Sequence, residues 1–194
     1  MSSSNRFRIT AGTLRGRRLH APSTPAVRPM QGAVRESLFN ILGPSVREAS
    51  ILDLFSGTGS IGLEALSRGA ASCVFVENYG PSLRVLERNI REAGMETRCR
   101  VLRLNLLTVR SFPLTGLEPF HGIFLDPPFR FHDPPKPRSL SPLLARIHDQ
   151  GLLAGDAFLV LQIRSIQAPP DPLGPFRLSR RREYGSISLL FYDK

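Results

Sequence analysis

The segment from Ile51 to Gly62, Ile51-Leu52-Asp53-Leu54-Phe55-Ser56-Gly57-Thr58-Gly59-Ser60-Ile61-Gly62, constrains this chain more than any other. Its first five residues form a short apolar run of strand character, and an apolar-periodic helix starts at Ser60. Glycines 57, 59 and 62 stand between and satisfy the spacing GxGxxG. A strand that turns sharply into a helix through such glycines allows close backbone approach to a ligand and close helix–strand packing. Glu77 closes the next apolar run, where an acid can hold ribose hydroxyls.

The rest of the chain repeats this alternation. Strands are expected at 51–55, 73–77, 100–104, 122–125, 157–163, 176–182 and 187–192, and helices at 30–42, 60–68, 81–93 and 140–148. Gly43-Pro44 stops the first helix, while Pro81 opens and Gly94 closes the third. Strands apolar on both faces and separated by helices imply an α/β fold with a parallel sheet wrapped by helices. The last two strands are joined by a few residues around Tyr184-Gly185, which makes them an antiparallel pair at the sheet's end. With 194 residues, 41% of them hydrophobic, one domain with a small appendage is expected. Its boundaries are a basic N-terminal arm at 1–27 and a main domain at 28–194. No run of eighteen apolar residues and no secretory leader is present, so a cytoplasmic chain without a membrane anchor is expected. Cys73 and Cys99 sit in or beside apolar segments and read as core thiols. The four histidines do not cluster, and no metal site is expected.

Asp53 separates two classes of cofactor. It ends the first strand, facing the glycine loop, where a carboxylate would repel a pyrophosphate drawn to the helix N-terminus. S-adenosylmethionine has no phosphate and carries a cationic amino group and a sulfonium, so the same carboxylate favours it. Glu77 serves ribose hydroxyls in either case.

Ile123-Phe124-Leu125-Asp126-Pro127-Pro128-Phe129 places an acid and two prolines at the carboxyl end of a buried strand, the edge where open parallel sheets bind ligands. Two prolines fix the backbone and remove two donors, leaving carbonyls free to accept. Asp126 and a rigid carbonyl, that of Pro127, suit an –NH2 group, and Phe129 offers a flat face for a base. The exocyclic nitrogen of a nucleobase is a poor nucleophile, because its lone pair is delocalised into the ring. Two acceptors that hold its hydrogens turn that lone pair toward a methyl donor, so Asp126, Pro127, Pro128 and Phe129 are the expected catalytic set.

Charge suggests the partner. The net charge is +10, and the first 35 residues contain Arg6, Arg8, Arg15, Arg17, Arg18, Arg28 and Arg35 but no acid. Arginine throughout favours phosphate forks over mere solubility, so these seven are the expected RNA contacts. Alternation at 6–10 and again at 17–20, with Gly12 and Gly16 between, predicts a basic β-hairpin.

These residues resemble the bacterial small-subunit ribosomal RNA guanine-N2 methyltransferases. The similarity runs from Arg8-Ile9-Thr10-Ala11-Gly12-Thr13-Leu14-Arg15-Gly16-Arg17 to Tyr184-Gly185. It is most specific at Arg28-Pro29, at 34–40 (Val-Arg-Glu-Ser-Leu-Phe-Asn), at 62–70 and at the Asp126–Phe129 corner. The resemblance implies a Rossmann-like class I methyltransferase, with a seven-stranded, mostly parallel sheet whose last strand is antiparallel. It implies S-adenosylmethionine as donor and one guanine of 16S ribosomal RNA as acceptor, reached on an assembling particle. A monomer is expected. It also implies a cofactor site of Asp53, Phe55, Ser56, Gly57, Thr58, Gly59, Glu77, Asn78, Asn105 and Leu106, with Asn105 at the adenine edge. Met30, Ala33 and Tyr79 depart from the family pattern; the first two bear on the substrate side and Tyr79 on the cofactor rim.

Within this fold, the alternative is an N-methyltransferase of DNA adenine or a protein amide, which the same corner also suits. A non-catalytic basic RNA-binding or assembly module is the alternative from another class. A nicotinamide-dependent oxidoreductase is disfavoured by Asp53.

Overall fold

The computed structural model describes residues 8–22, 30–106, 108–109, 116, 118–128 and 139–194. The chain divides into two compact units, residues 1–105 and 106–194. The seven-stranded sheet divides with them, three strands in the first and four in the second. No helix among the described residues is long and apolar enough to cross a membrane.

In the first unit, helix α1 (Gly32–Leu42) precedes β1 (Ser50–Leu54), α2 (Ser60–Ser67), β2 (Ser72–Glu77), α3 (Gly80–Ala93) and β3 (Cys99–Arg103). The strands lie in the order β3-β2-β1, all parallel. Four of the five residues of β1 and four of the six of β2 are buried, which is why both read as unbroken apolar runs. Gly94 closes α3 in the left-handed conformation at φ 68°, as its position after the last apolar-periodic residue predicts. Cys73 and Cys99 face each other across β2 and β3 as free thiols. Cys73 is buried and Cys99 half-buried, and loss of solvent pushes the Cys99 thiol up to about 12.

The second unit contains β4 (Phe120–Leu125), α4 (Ser141–Asp149), β5 (Leu153–Arg164), β6 (Arg177–Tyr184) and β7 (Ile187–Asp193), in the sheet order β4-β5-β7-β6. β4 and β5 are parallel, whereas β7 is antiparallel to both its neighbours. This is the mostly parallel sheet with an antiparallel last strand. β4 and β5 start earlier than the apolar runs suggest, at Phe120 and Leu153. Their register shifts between Phe120 and Gly122, and polar Asp156 conceals the start of β5 in the sequence.

The expected N-terminal hairpin is reduced to one antiparallel bridge, Arg8 with Arg18, supported by Ile9 N–H to Arg17 O and Gly16 N–H to Ile9 O. Hydrogen bonds to α2 replace the rest of the ladder. The amides of Thr10 and Ala11 donate to the Glu64 carboxylate, Thr13 N–H to Ser67 O, and Leu14 N–H to Ser67 Oγ. Gly12 explains how the arm comes so close: a Cβ there would lie 1.8 Å from the carbonyl oxygen of Ser67, and its φ is +82°.

Candidate active site

The glycine loop is held by its own acids. Asp53, 1% exposed, accepts the Gly62 N–H on Oδ2 at 3.0 Å, and Gly62 lies in the first turn of α2. A carboxylate from the preceding strand therefore satisfies an amide of the helix N-terminus. Gly62 is where α2 crosses β2: a Cβ there would meet the Phe75 ring at 2.3 Å and Cys73 Sγ at 2.6 Å. The third glycine of the spacing thus serves helix–strand packing. Phe55 sits at φ 63°, a left-handed conformation that is costly without glycine, at the point where the strand leaves the sheet.

Glu77 fastens the other side of the loop. Its Oε2 accepts Gly57 N–H at 2.8 Å, and its Oε1 accepts the N–H groups of Asn78 and Tyr79 at 2.7 and 2.8 Å. Ser56 Oγ donates to the carbonyls of Asp53 and Val76 at 2.6 and 3.2 Å. Asp53, Ser56, Gly57 and Glu77 are thereby drawn into one cluster at the carboxyl ends of β1 and β2. Thr58 follows, with its carbonyl held by Asn89 and its buried Oγ1 unpartnered among the described residues. Asn105 is exposed and Leu106 buried just beyond β3.

Asp126, Pro127 and Pro128 follow directly on β4, and Phe129 lies outside the described residues. Gln162, on the neighbouring β5, donates from Nε2 to Asp126 Oδ1 at 2.7 Å. The other carboxylate oxygen has no partner among the described residues, and no charged group among them accompanies the pair. Loss of solvent pushes the Asp126 carboxyl up to about 7. A carboxyl that changes charge near neutrality, with one oxygen pinned and one open, is suited to take a hydrogen from a ligand amine. Gln162 is 6% exposed, and its Oε1 is buried without a partner among the described residues. Sequence reasoning missed this residue; the available signal is that it is the lone polar residue in the apolar run Phe158–Ile163.

The basic residues are not all alike. Arg15 and Arg18 are exposed and unpartnered among the described residues, Arg8 donates to Gly16 O, and Arg17 donates to Glu92 O. Arg6 and Arg28 lie outside the described residues. Arg35 corrects the expectation of a surface contact. It is 0% exposed, and its guanidinium donates to Glu64 Oε2 at 3.2 Å, to Met30 O and to Arg8 O. Heptad-like spacing alone places it off the apolar stripe of α1, but a buried acid on α2 draws it inward. The Met30 departure is also internal, since Met30 is buried and supplies that carbonyl; Tyr79 is exposed.

The family model described as "Conserved hypothetical protein 95" matches residues 7–193. The Escherichia coli (strain K12) protein named Ribosomal RNA small subunit methyltransferase D is 33% identical over 195 residues, covering 100% of this chain and 92% of that one. The chain belongs to the ribosomal RNA small subunit methyltransferase D family. The Bacillus subtilis relative YlbH is 31% identical over 97% of this chain and 99% of its own. Among solved structures, Escherichia coli yhhF superposes with a TM-score of 0.79 at 30% identity, covering 98% of each chain. A SAM dependent methyltransferase from Aquifex aeolicus shares the fold at TM-score 0.57 and 15% identity, over 82% of this chain and 88% of that one. The α/β architecture is that of a Rossmann-like methyltransferase.

Proposed function

We propose that this enzyme transfers a methyl group from S-adenosylmethionine to the exocyclic N2 of a guanine in small-subunit ribosomal RNA. The observation that carries the reading is the half-pinned Asp126 carboxyl at the end of β4, followed by two prolines. Its open oxygen accepts one amine hydrogen, and the carbonyl of Pro127 is the second acceptor. The nitrogen lone pair is then free of the ring. As the nitrogen–carbon bond forms and the carbon–sulfur bond breaks, the proton leaves the nitrogen through Asp126 to water. Phe129 is the stacking face in this scheme. The names of the full-length relatives support ribosomal RNA as the substrate class. Arg8, Arg15, Arg17 and Arg18, with Arg6 and Arg28, are the proposed phosphate contacts of the arm; Arg35, held internally, is not among them. The arm at 1–27 and the main domain at 28–194 work together as a cytoplasmic monomer on an assembling particle.

The loop fits the donor. Asp53 and Glu77 present carboxylates where a cationic, phosphate-free ligand gains from them, and the helix amide that a pyrophosphate would take already serves Asp53. S-adenosylmethionine supplies an activated methyl group, with Asp53, Phe55, Ser56, Gly57, Thr58 and Gly59 around its methionine end. Glu77 and Asn78 hold its ribose, and Asn105 and Leu106 its adenine. At ~100 times its Kd, the ligand should stabilise the fold by about 2.7 kcal/mol. Asp53→Asn, which keeps an oxygen for Gly62 but loses the charge, should shrink that increment, and NAD should give none. A larger thermal shift with NAD than with S-adenosylmethionine would overturn the donor assignment. Nucleoside mass spectrometry of ribosomal RNA from cells with and without the gene tests the acceptor. Loss of N2-methylguanosine from small-subunit RNA is expected; an unchanged nucleoside profile would sink the reading.

A further inference from the structure

β6 is the outermost strand of the second unit, and its sequence, Arg177-Leu178-Ser179-Arg180-Arg181-Arg182-Glu183-Tyr184, contains four arginines. Strict alternation would divide them, with Arg177 and Arg181 on one face and Arg180 and Arg182 on the other. The register, however, shifts between Leu178 and Arg180. Arg177 consequently lies opposite Asp193, Arg180 opposite Phe191 and Arg182 opposite Leu189. Those partners are spaced by two along β7, so all three arginines share one face. Arg181 lies on the other face, where it donates to Ser165 O and pairs with Glu183 at 2.9 Å. Arg177, Arg180 and Arg182 are exposed, and their side chains make no hydrogen bond or ion pair among the described residues. Asp193 is the acid opposite Arg177 in the ladder, and Arg180 and Arg182 face apolar partners.

The ladder is in line with the acid corner. Gln162 lies opposite Leu189, and Leu189 opposite Arg182. Gln162 also reaches the Asp126 carboxylate. Asp126, just past the end of β4, thus lines up with Gln162, Leu189 and Arg182 on β5, β7 and β6. With strands ~4.8 Å apart, Arg182 stands about 14 Å from Asp126. Leu189 is fully buried, so the row is covered in the middle and open at the β6 rim. Successive arginines two strand residues apart stand ~6.7 Å from one another, on the scale of a phosphate repeat. Planar guanidinium forks suit phosphate oxygens two at a time.

We infer that Arg177, Arg180 and Arg182 form a second phosphate-binding surface. It holds the backbone of the substrate RNA flanking the nucleotide whose amine is presented at Asp126. The inference rests on the proposed RNA substrate and adds a surface remote from the N-terminal arm in sequence. Nothing apolar is exposed on this face of β6, which favours RNA over a lipid surface.

The test compares the full-length wild type with the triple variant Arg177→Ala, Arg180→Ala, Arg182→Ala. Binding to in vitro transcribed small-subunit RNA is followed as a function of salt, and steady-state methylation of the same RNA is measured alongside. Removing one arginine–phosphate pair should reduce the slope of log K against log salt by roughly 0.7 to 0.9, so the triple variant should show a reduction of about 2. KM for RNA should rise at least tenfold, while kcat at saturating RNA stays within about twofold. The S-adenosylmethionine thermal shift should be unchanged, and the corresponding triple lysine variant should recover most of the slope. A triple variant indistinguishable from a wild type that binds and methylates RNA would remove the ladder and leave the proposed function intact. A wild type that neither binds nor methylates RNA would remove both. Loss of binding to anionic phospholipid vesicles, with RNA binding unaltered, would reassign the surface to a membrane.

Discussion

Replacing Asp126 with alanine should lower methyl transfer by about 10² to 10⁴, the scale of a positioned acid–base group, while S-adenosylmethionine affinity changes much less. In the proposed mechanism the variant loses the oxygen that would receive the amine hydrogen and the charge that would offset the developing positive nitrogen. The pH dependence follows from the raised carboxyl, near 7 in the folded chain. Turnover in the wild type should fall as the medium drops below that value and the acceptor is protonated. Gln162→Leu removes the only donor to the carboxylate among the described residues, so the acidic limb should move to higher pH. A purely structural loss at Gln162 would lower the rate at every pH and leave the limb in place. Stability carries the opposite signature. The folded-state value exceeds the unfolded one, so the folded chain binds the extra proton, and this group's contribution declines as pH rises from 3.8 toward about 7. Asp126→Asn, which is uncharged throughout, should therefore be more stable than the wild type at pH 8 while being less active. Normal methylation by Asp126→Ala, with RNA and cofactor binding intact, would remove the corner from the mechanism.

Glu64→Ala should be among the most damaging substitutions for stability, at about 3–5 kcal/mol. Glu64 is fully buried on α2 and accepts from Thr10 N–H, Thr10 Oγ1, Ala11 N–H, Arg35 Nε and Arg68 Nε. Alanine would leave the buried Arg35 guanidinium without a counter-charge and strand the arm's amides together. For a chain of this size, that corresponds to a fall in Tm on the order of 10 °C. Arg35→Met should cost less, since Arg68 and Thr10 would still compensate the carboxylate. Burial pushes the Glu64 carboxyl up, but the Thr10 hydrogen bonds, Arg68 and Arg35 outweigh it and hold the value below the ordinary glutamate range. Its stabilisation is thus fully present above pH 4.5 and lost as pH falls through the folded-state value, so wild type and Glu64→Ala should converge in acid. Chemical denaturation at neutral and acid pH decides the matter. A neutral-pH difference under 1 kcal/mol would show that Glu64 does not anchor the arm.

The parts of the fold that can be read from the chain are those where a local rule and tertiary packing agree. Apolar runs mark β1, β2 and β4, because most of their residues are buried and tolerate little else, whereas β6, with four arginines and no buried residue, has no such run. Asp53 and Glu77 are recognisable by position, at the ends of strands beside a glycine loop. Pairings between segments far apart cannot be read in this way. Glu64 sits among apolar neighbours of α2 as an anomaly until the arm and Arg35 are seen to converge on it. Arg35 resembles one more surface cation because charge counting does not reveal a partner 29 residues away. The single bridge in place of a hairpin has the same origin, since the amides of Thr10, Ala11, Thr13 and Leu14 are satisfied by α2 rather than by a second strand. Gln162 becomes meaningful only when the β4–β5 register brings it beside Asp126, and the arginines of β6 align only because of the shift at Leu178.

The convergence on Glu64 bears on how the N-terminal arm moves. Chain ends usually fray at almost no free-energy cost. Here, lifting residues 8–14 would strip donors from a carboxylate that remains buried and unhook the carbonyl of Arg8 from Arg35. Opening the arm should therefore cost more than ordinary fraying of a chain end, and the amides of Thr10, Ala11, Thr13 and Leu14 should exchange with solvent more slowly than those of a free terminus. As the proposed phosphate-binding element, a basic arm tethered in this manner would meet RNA already ordered. The conformational entropy of holding Arg15 and Arg18 at fixed backbone positions is lost during folding, so it does not weaken the encounter itself.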